Sequence, residues 1–105
     1  MKQDINQLTE KIQEWIEARN LQTATSSTQA VKLAEEFGEL ASGISKNKKD
    51  IIKDSIGDMY VVMTVIAMIE DVDISECIAL AYDEIKDRKG KLIDGVFVKE
   101  SDLWK

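Results

Sequence analysis

No proline interrupts this chain, and its apolar residues recur at steps of three and four along most of its length. Proline ends helices because it lacks the N–H and its ring clashes with the preceding turn, so a chain without it that keeps helical spacing is predicted to be mainly helical. Five scattered glycines mark no linker, and residues 1–105 read as a single domain. The spacing predicts four helices. The first runs from Asp4 to Arg19, with Ile5, Leu8, Ile12, Trp15 and Ile16 as its inward stripe, which assigns Trp15 to the core. The Thr- and Ser-rich stretch from Asn20 to Ser27 supplies N-caps for a second helix, from Thr28 to Lys46. A basic turn follows, and Asp50 caps a third helix that reaches Ile69. Asp73 and Glu76 have the spacing of a capping box for a fourth, which runs to Lys89 and ends at Gly90. Its inward stripe is Ile74, Cys77, Ile78, Ala81 and Ile85, so Cys77 reads as a small core residue. The remaining tail, residues 91–105, reads as extended or looped. The expected class is all-α, a four-helix bundle with a short extended C-terminal tail.

Charge and rare residues narrow the chemistry. A net charge of -6 repels nucleic-acid polymers and anionic lipid, so neither is an expected partner. The most apolar run, Ile56 to Ile69, holds Asp58 and is shorter than the roughly 20 residues a membrane span needs. No apolar leader opens the sequence and there is one cysteine, so a cytoplasmic location is expected. Histidine is absent, which removes zinc sites of the usual kind and His-dependent nucleophiles. A metal site here has to be built from carboxylates, whose hard oxygen ligands select Mg²⁺, with Mn²⁺ as the alternative. A domain of 105 residues also buries only about two-thirds of its unfolded surface. Helix three carries Met59, Val61, Val62, Met63, Val65, Ile66, Met68 and Ile69 over more than one face, and is the expected interface of a homo-oligomer, dimer or tetramer.

Two segments carry the candidate chemistry: Lys32-Leu-Ala-Glu35-Glu36-Phe-Gly-Glu39 on helix two and Asp54-Ser-Ile-Gly-Asp58 on helix three. Residues three and four apart share a helix face, so each segment projects an acidic patch. A short connection makes the two helices antiparallel neighbours and can bring the patches face to face. Clustered carboxylates beside a core raise one another's pKa and attract a divalent cation. The pattern by itself also fits a solvated acidic face, because Glu is a good helix former and the chain holds 20 acids.

EEFGE followed by DSIGD resembles the paired acidic motif of the MazG-like family, EExxE and then ExxD, and the resemblance extends over residues 28 to 100. It implies an all-α fold and Mg²⁺-dependent cleavage of a nucleoside triphosphate to the monophosphate and pyrophosphate. By resemblance, Glu36, Glu39 and Asp58 fall on metal-ligand positions, and Glu35 matches the first Glu of the motif. The sequence departs from the family at Ser55, where a glutamate is expected, and Asp54 is the acid expected to replace it. Asp83 stands where many relatives have asparagine. Triphosphate hydrolysis needs phosphate charge neutralised, an oriented water and cations on the leaving group. Glu35 is the candidate to orient or deprotonate that water. Lys86, Arg88 and Lys89, joined by Lys91, are candidates for the pyrophosphate, with favourable placement at a helix C-terminus as the plain alternative. Tyr82, Phe97 and Trp104 are candidates to stack on the base, whereas Trp15 and Phe37 fit the core better. The expected role is nucleotide-pool control or housecleaning. Two rivals remain at this level: a non-catalytic binding or assembly module that retains the fold, and a phosphohydrolase that cuts another bond.

Overall fold

The computed structural model describes residues 2–103. Four helices, α1 (Ile5–Ala18), α2 (Ser26–Ser45), α3 (Lys49–Ile69) and α4 (Ile74–Ile85), are followed by strands β1 (Gly90–Ile93) and β2 (Val96–Lys99). The all-α expectation stands, with a two-stranded hairpin in the tail. The chain forms two compact units, Met1–Ile74 and Ser75–Lys105.

In the first unit the helix ends are set by side chains and by left-handed residues. Asp4 caps α1 by accepting from the backbone N–H of Asn6 at 2.9 Å and of Gln7 at 3.2 Å. Thr25 caps α2 through the N–H of Thr28 at 3.2 Å. The N-cap of α3 is Lys48, which makes no side-chain cap; Asp50 lies inside the first turn instead, where its charge still favours the positive helix end. Both long helices stop in Schellman motifs. Asn47 and Asp71 take positive φ (53° and 54°), and the following N–H groups, of Lys48 and Val72, return to the carbonyls of Gly43 and Ala67 at 2.9 Å each.

The tight turn after α2 makes α2 and α3 the main packed pair of this unit, with α1 and the short 3-10 segment Leu21–Thr23 laid on α3. Gly43 is buried where the pair comes closest: a Cβ there would meet Cγ2 of Ile51 at 2.8 Å. The core consists of Ile16, Val62, Val65, Ala67 and Ile74, with Ser55 and Thr64 closed in beside them. Thr9 ties α1 to α3. Its hydroxyl donates to the Ile5 carbonyl at 2.8 Å, so its contact with Tyr60 at 2.7 Å uses the tyrosine proton.

Several expected core residues are not in the core. In α1 only Ile16 of the predicted stripe is buried; Ile5, Leu8 and Trp15 are exposed and Ile12 is half-buried, because α1 meets its neighbours over a narrow line. Phe37 is 60% exposed on α2. In α4 Ile74 is buried, whereas Cys77, Ile78, Ala81 and Ile85 are exposed, so Cys77 is a surface thiol.

In the second unit α4 ends at Ile85, four residues before the expected Lys89, and Gly90 opens a strand rather than capping a helix. Gly90 pairs with Lys99 and Ile93 with Val96 in an antiparallel ladder. Asp94 and Gly95, with φ of 50° and 79°, form the two-residue turn whose twist suits a hairpin. At Gly90 a Cβ would collide with the carbonyl oxygen of Val98, so this strand start requires glycine.

Candidate active site

Antiparallel packing of α2 on α3 brings the acidic segments together as their spacing implied. One carboxylate oxygen each from Glu36, Glu39 and Asp58 lies within 4.8 Å of the others. Ligands on opposite sides of a Mg²⁺ ion stand about 4 Å apart, given metal–oxygen distances of about 2.1 Å. The three carboxylates therefore stand close to the spacing a single hard cation requires.

Burial grades across the group. Glu36 is 5% exposed, Asp58 half-buried and Glu39 exposed. Oε1 of Glu36 takes an ion pair from Lys32, one turn earlier, at 3.2 Å, and the glutamate holds the lysine pKa above its ordinary value. Oε2 of Glu36 is buried without a hydrogen-bond partner. Its neighbours are carboxylates, which offer a donor only when protonated, so with all three ionised a cation is what would satisfy it. The titration of the group agrees with this. The Glu39 carboxyl is pushed up chiefly by the charge of Glu36, and then by burial. Burial pushes up Asp58, with the charge of Asp54 next and that of Glu36 after it. A buried carboxylate oxygen without a hydrogen-bond partner, beside two carboxyls held above their ordinary pKa, is a donor set that fits a divalent metal.

The remaining sequence candidates are arranged differently. Glu35 is not one of the three converging carboxylates; its side chain is 64% exposed, with its carboxylate 4.0 Å from Lys32. Asp54 is exposed on α3 and stands outside the group of three, adding negative charge beside Asp58. Ser55 is 1% exposed and belongs to the core. The second unit carries the other candidates. Tyr82 is exposed on α4, Lys86 pairs with Asp83 at 2.7 Å, and Lys86, Arg88 and Lys89 follow the last residue of α4 rather than forming its last turn. The early stop follows from the hairpin, which draws Gly90 into a strand and fixes the Lys89 carbonyl on the N–H of Glu100 at 2.7 Å. Trp104 lies outside the described residues.

Sequence reasoning assigned no role to Lys32, although its place four residues before Glu36 is the signal for such an ion pair. It also placed Trp15 in the core. In the structure Trp15 lines an open pocket beside Asp58, together with Leu8, Lys11, Ile12 and Val61.

Comparison with known proteins bears on the same helices. Residues 24–93 match the family model of the MazG nucleotide pyrophosphohydrolase domain, a span that contains both acidic segments. An uncharacterized 18.2 kDa protein from the rep-hol intergenic region of Haemophilus phage HP1 is 52% identical over 71 residues, which is 67% of this chain. The chain spans 44% of that relative's length. No solved structure matches. The family match, over two helices whose acids converge as described, shows that this chain belongs to the MazG nucleotide pyrophosphohydrolase domain family.

Proposed function

We propose that this protein is a Mg²⁺-dependent nucleoside triphosphate pyrophosphohydrolase, which adds water across the α–β phosphoanhydride and releases a nucleoside monophosphate and pyrophosphate. One observation carries the reading: Glu36, nine-tenths buried, holds an unpartnered carboxylate oxygen among the acids Glu39 and Asp58. A buried anion left in that state is costly unless a cation belongs there.

Glu36, Glu39 and Asp58 would hold the metal, with Asp54 contributing from the same helix in place of the glutamate that Ser55 replaces. When bound, Mg²⁺ supplies neutralisation of phosphate charge; Mn²⁺ suits the same oxygen donors. Glu35 is accessible to solvent, as a group that orients a water and accepts its proton must be. Lys32 fixes the Glu36 carboxylate in place by its ion pair. Lys86, Arg88 and Lys89 stay the candidate cations for the pyrophosphate, and Tyr82, exposed on α4, the candidate for substrate contact. Self-association through helix three and its surroundings is part of the proposal. Its support is the set of large apolar side chains left exposed on α2 and α3, among them Val31, Phe37, Ile44, Ile56 and Met63. No helix among the described residues is long and apolar enough to cross a membrane. A role in nucleotide-pool control fits this chemistry.

The test is product analysis with each common NTP and dNTP, with and without Mg²⁺, beside Glu36→Gln. Monophosphate and pyrophosphate formed only with Mg²⁺, and lost in the variant, is the expected result. Orthophosphate and diphosphate as products would mean that another bond is cut. Absence of turnover across the panel in folded protein would favour a non-catalytic binding module, a reading to which the closure of Ser55 into the core lends support.

A further inference from the structure

We propose that Lys32 sets the ion selectivity of the carboxylate group: by holding Oε1 of Glu36 it leaves that glutamate one oxygen for a cation, which suits Mg²⁺ or Mn²⁺ and works against Ca²⁺. The role rests on the metal reading of the site and requires no turnover. Lys32, Glu36, Glu39 and Asp58 all lie within the first compact unit.

Two observations on the Glu36 side chain point to this role. Oε1 stands 3.2 Å from Nζ of Lys32, whereas Oε2 is buried without a hydrogen-bond partner. The two oxygens of one carboxylate are thereby divided, one taken by a charge of the protein itself and one left for a ligand. A divalent ion bound through both oxygens would have to share Oε1 with an ammonium, and two cations against one oxygen repel each other. Glu36 is restricted to a single bond, from Oε2. Burial makes the restriction firm. Ion pairs between two mobile, exposed side chains contribute little, but here the Glu36 side chain is only 7% exposed and cannot swing out to solvent. Lys32 reaches it from one turn earlier on α2, so the rigid helix sets the distance between their backbones.

The two classes of hard cation respond differently to such a ligand. Mg²⁺ demands octahedral oxygens at about 2.1 Å and keeps several waters, so single bonds from Glu36, Glu39 and Asp58 fill part of its shell and leave places for water and phosphate. Ca²⁺ takes more oxygens, at about 2.3–2.6 Å, and often gathers them from carboxylates bound through both atoms. Closing that option at Glu36, the most buried of the three acids, removes a ligand from Ca²⁺ and none from Mg²⁺. The lysine charge also lowers the affinity for every cation alike. The signature of the proposed role is therefore a ratio of affinities rather than an affinity.

The experiment measures cation binding to the full chain without nucleotide. Bound Mn²⁺ is read from the spin-resonance signal of the free ion, and Mg²⁺ and Ca²⁺ are measured by its displacement. Lys32→Met keeps a long side chain and removes the charge. It should move the Ca²⁺-to-Mn²⁺ affinity ratio toward Ca²⁺ by roughly tenfold, the scale on which the partner of a metal-ligating side chain acts. Lys32→Gln, polar and uncharged, is the second variant and should give the same shift. Lys32→Arg restores a cation to Oε1 and should hold the ratio within about threefold of wild type. Circular dichroism and urea midpoints identify any loss of folding. An equal gain for Mn²⁺ and Ca²⁺ in folded Lys32→Met and Lys32→Gln would overturn the proposal and leave the metal reading intact, because the lysine would then act only as a general positive charge. A ratio in Lys32→Arg that matches Lys32→Met would also overturn it. No binding of any of the three cations to folded wild type would remove the proposal and the metal reading together. The expected shift in a protein that hydrolyses no nucleotide would support the role of Lys32 and reject the hydrolase reading.

Discussion

The helices of the first unit and the chain from Ser75 onward both carry apolar residues at regular spacing, and they bury them very differently. In α3, Val62, Val65 and Ala67 are closed off by α1 and α2. From Ser75 to Leu103 none of the described residues is buried, although α4 and the hairpin present Ile78, Leu80, Tyr82, Ile85, Leu92 and Phe97. The contrast teaches that periodicity identifies an apolar face and says nothing about whether a partner covers it. Cover depends on how closely a second element can approach. In the first unit Gly43 and the tight turn at Asn47 provide that approach. The same contrast separates the acids. Glu36 is buried because its helix face is covered, whereas Glu35, its neighbour in sequence, is turned to solvent.

The largest expected difference is in stability. Ile16→Ala removes a fully buried side chain and should cost about 2–5 kcal/mol in denaturant unfolding. Ile78→Ala, at a position 52% exposed, should stay within about 0.5 kcal/mol for a single chain. A cost at Ile78 that rises with protein concentration would break the contrast by showing that a second copy covers α4.

Glycines give a smaller effect of opposite sign. Gly43→Ala has to displace Ile51 and should destabilise by about 1–3 kcal/mol. Gly38→Ala meets no atom within 4 Å and should stabilise α2 by up to about 1 kcal/mol through helix propensity. Equal effects at the two sites would mean that the closeness of α2 and α3 does not depend on Gly43.

The clustered acids Glu39 and Asp58 should also make stability fall with pH in the absence of metal. Glu39 and Asp58 have raised pKa values in the folded state, so the folded chain binds protons more tightly than the unfolded one. Their contribution is fully present below the ordinary values of 4.5 and 3.8 and is lost as pH rises through the raised ones. Urea midpoints followed upward from that range should decline. The decline should be shallower in Glu39→Gln and Asp58→Asn, and also with Mg²⁺, because a cation favours the ionised forms. A slope unaffected by either substitution would separate the pH response from this site.

The smallest effect concerns Cys77. An exposed thiol should react with a maleimide in the folded protein without loss of helicity by circular dichroism, and Cys77→Ser should change stability by less than about 0.5 kcal/mol. Protection of the thiol that disappears on dilution would again point to a covering partner.

Local and periodic information sufficed for much of this molecule. Proline-free helical spacing determined the four helices, with ends displaced by a few residues, and the steps within each acidic segment made Glu36, Glu39 and Asp58 candidates for one group, though the same steps also include Glu35 and Asp54, which lie outside it. The hairpin goes beyond the sequence reading of the tail as extended or looped; Asp94-Gly95 between apolar residues is the turn signal that reading leaves unused. Tertiary structure alone decided which faces are covered. Whether Trp15 packs or stays open, whether Glu36 is buried and Glu35 is not, and whether Ser55 meets solvent all depend on the separation and rotation of neighbouring helices. Those quantities arise from contacts between residues far apart in sequence, such as Gly43 with Ile51 across a turn and Thr9 with Tyr60 across 51 positions, and no local spacing encodes them.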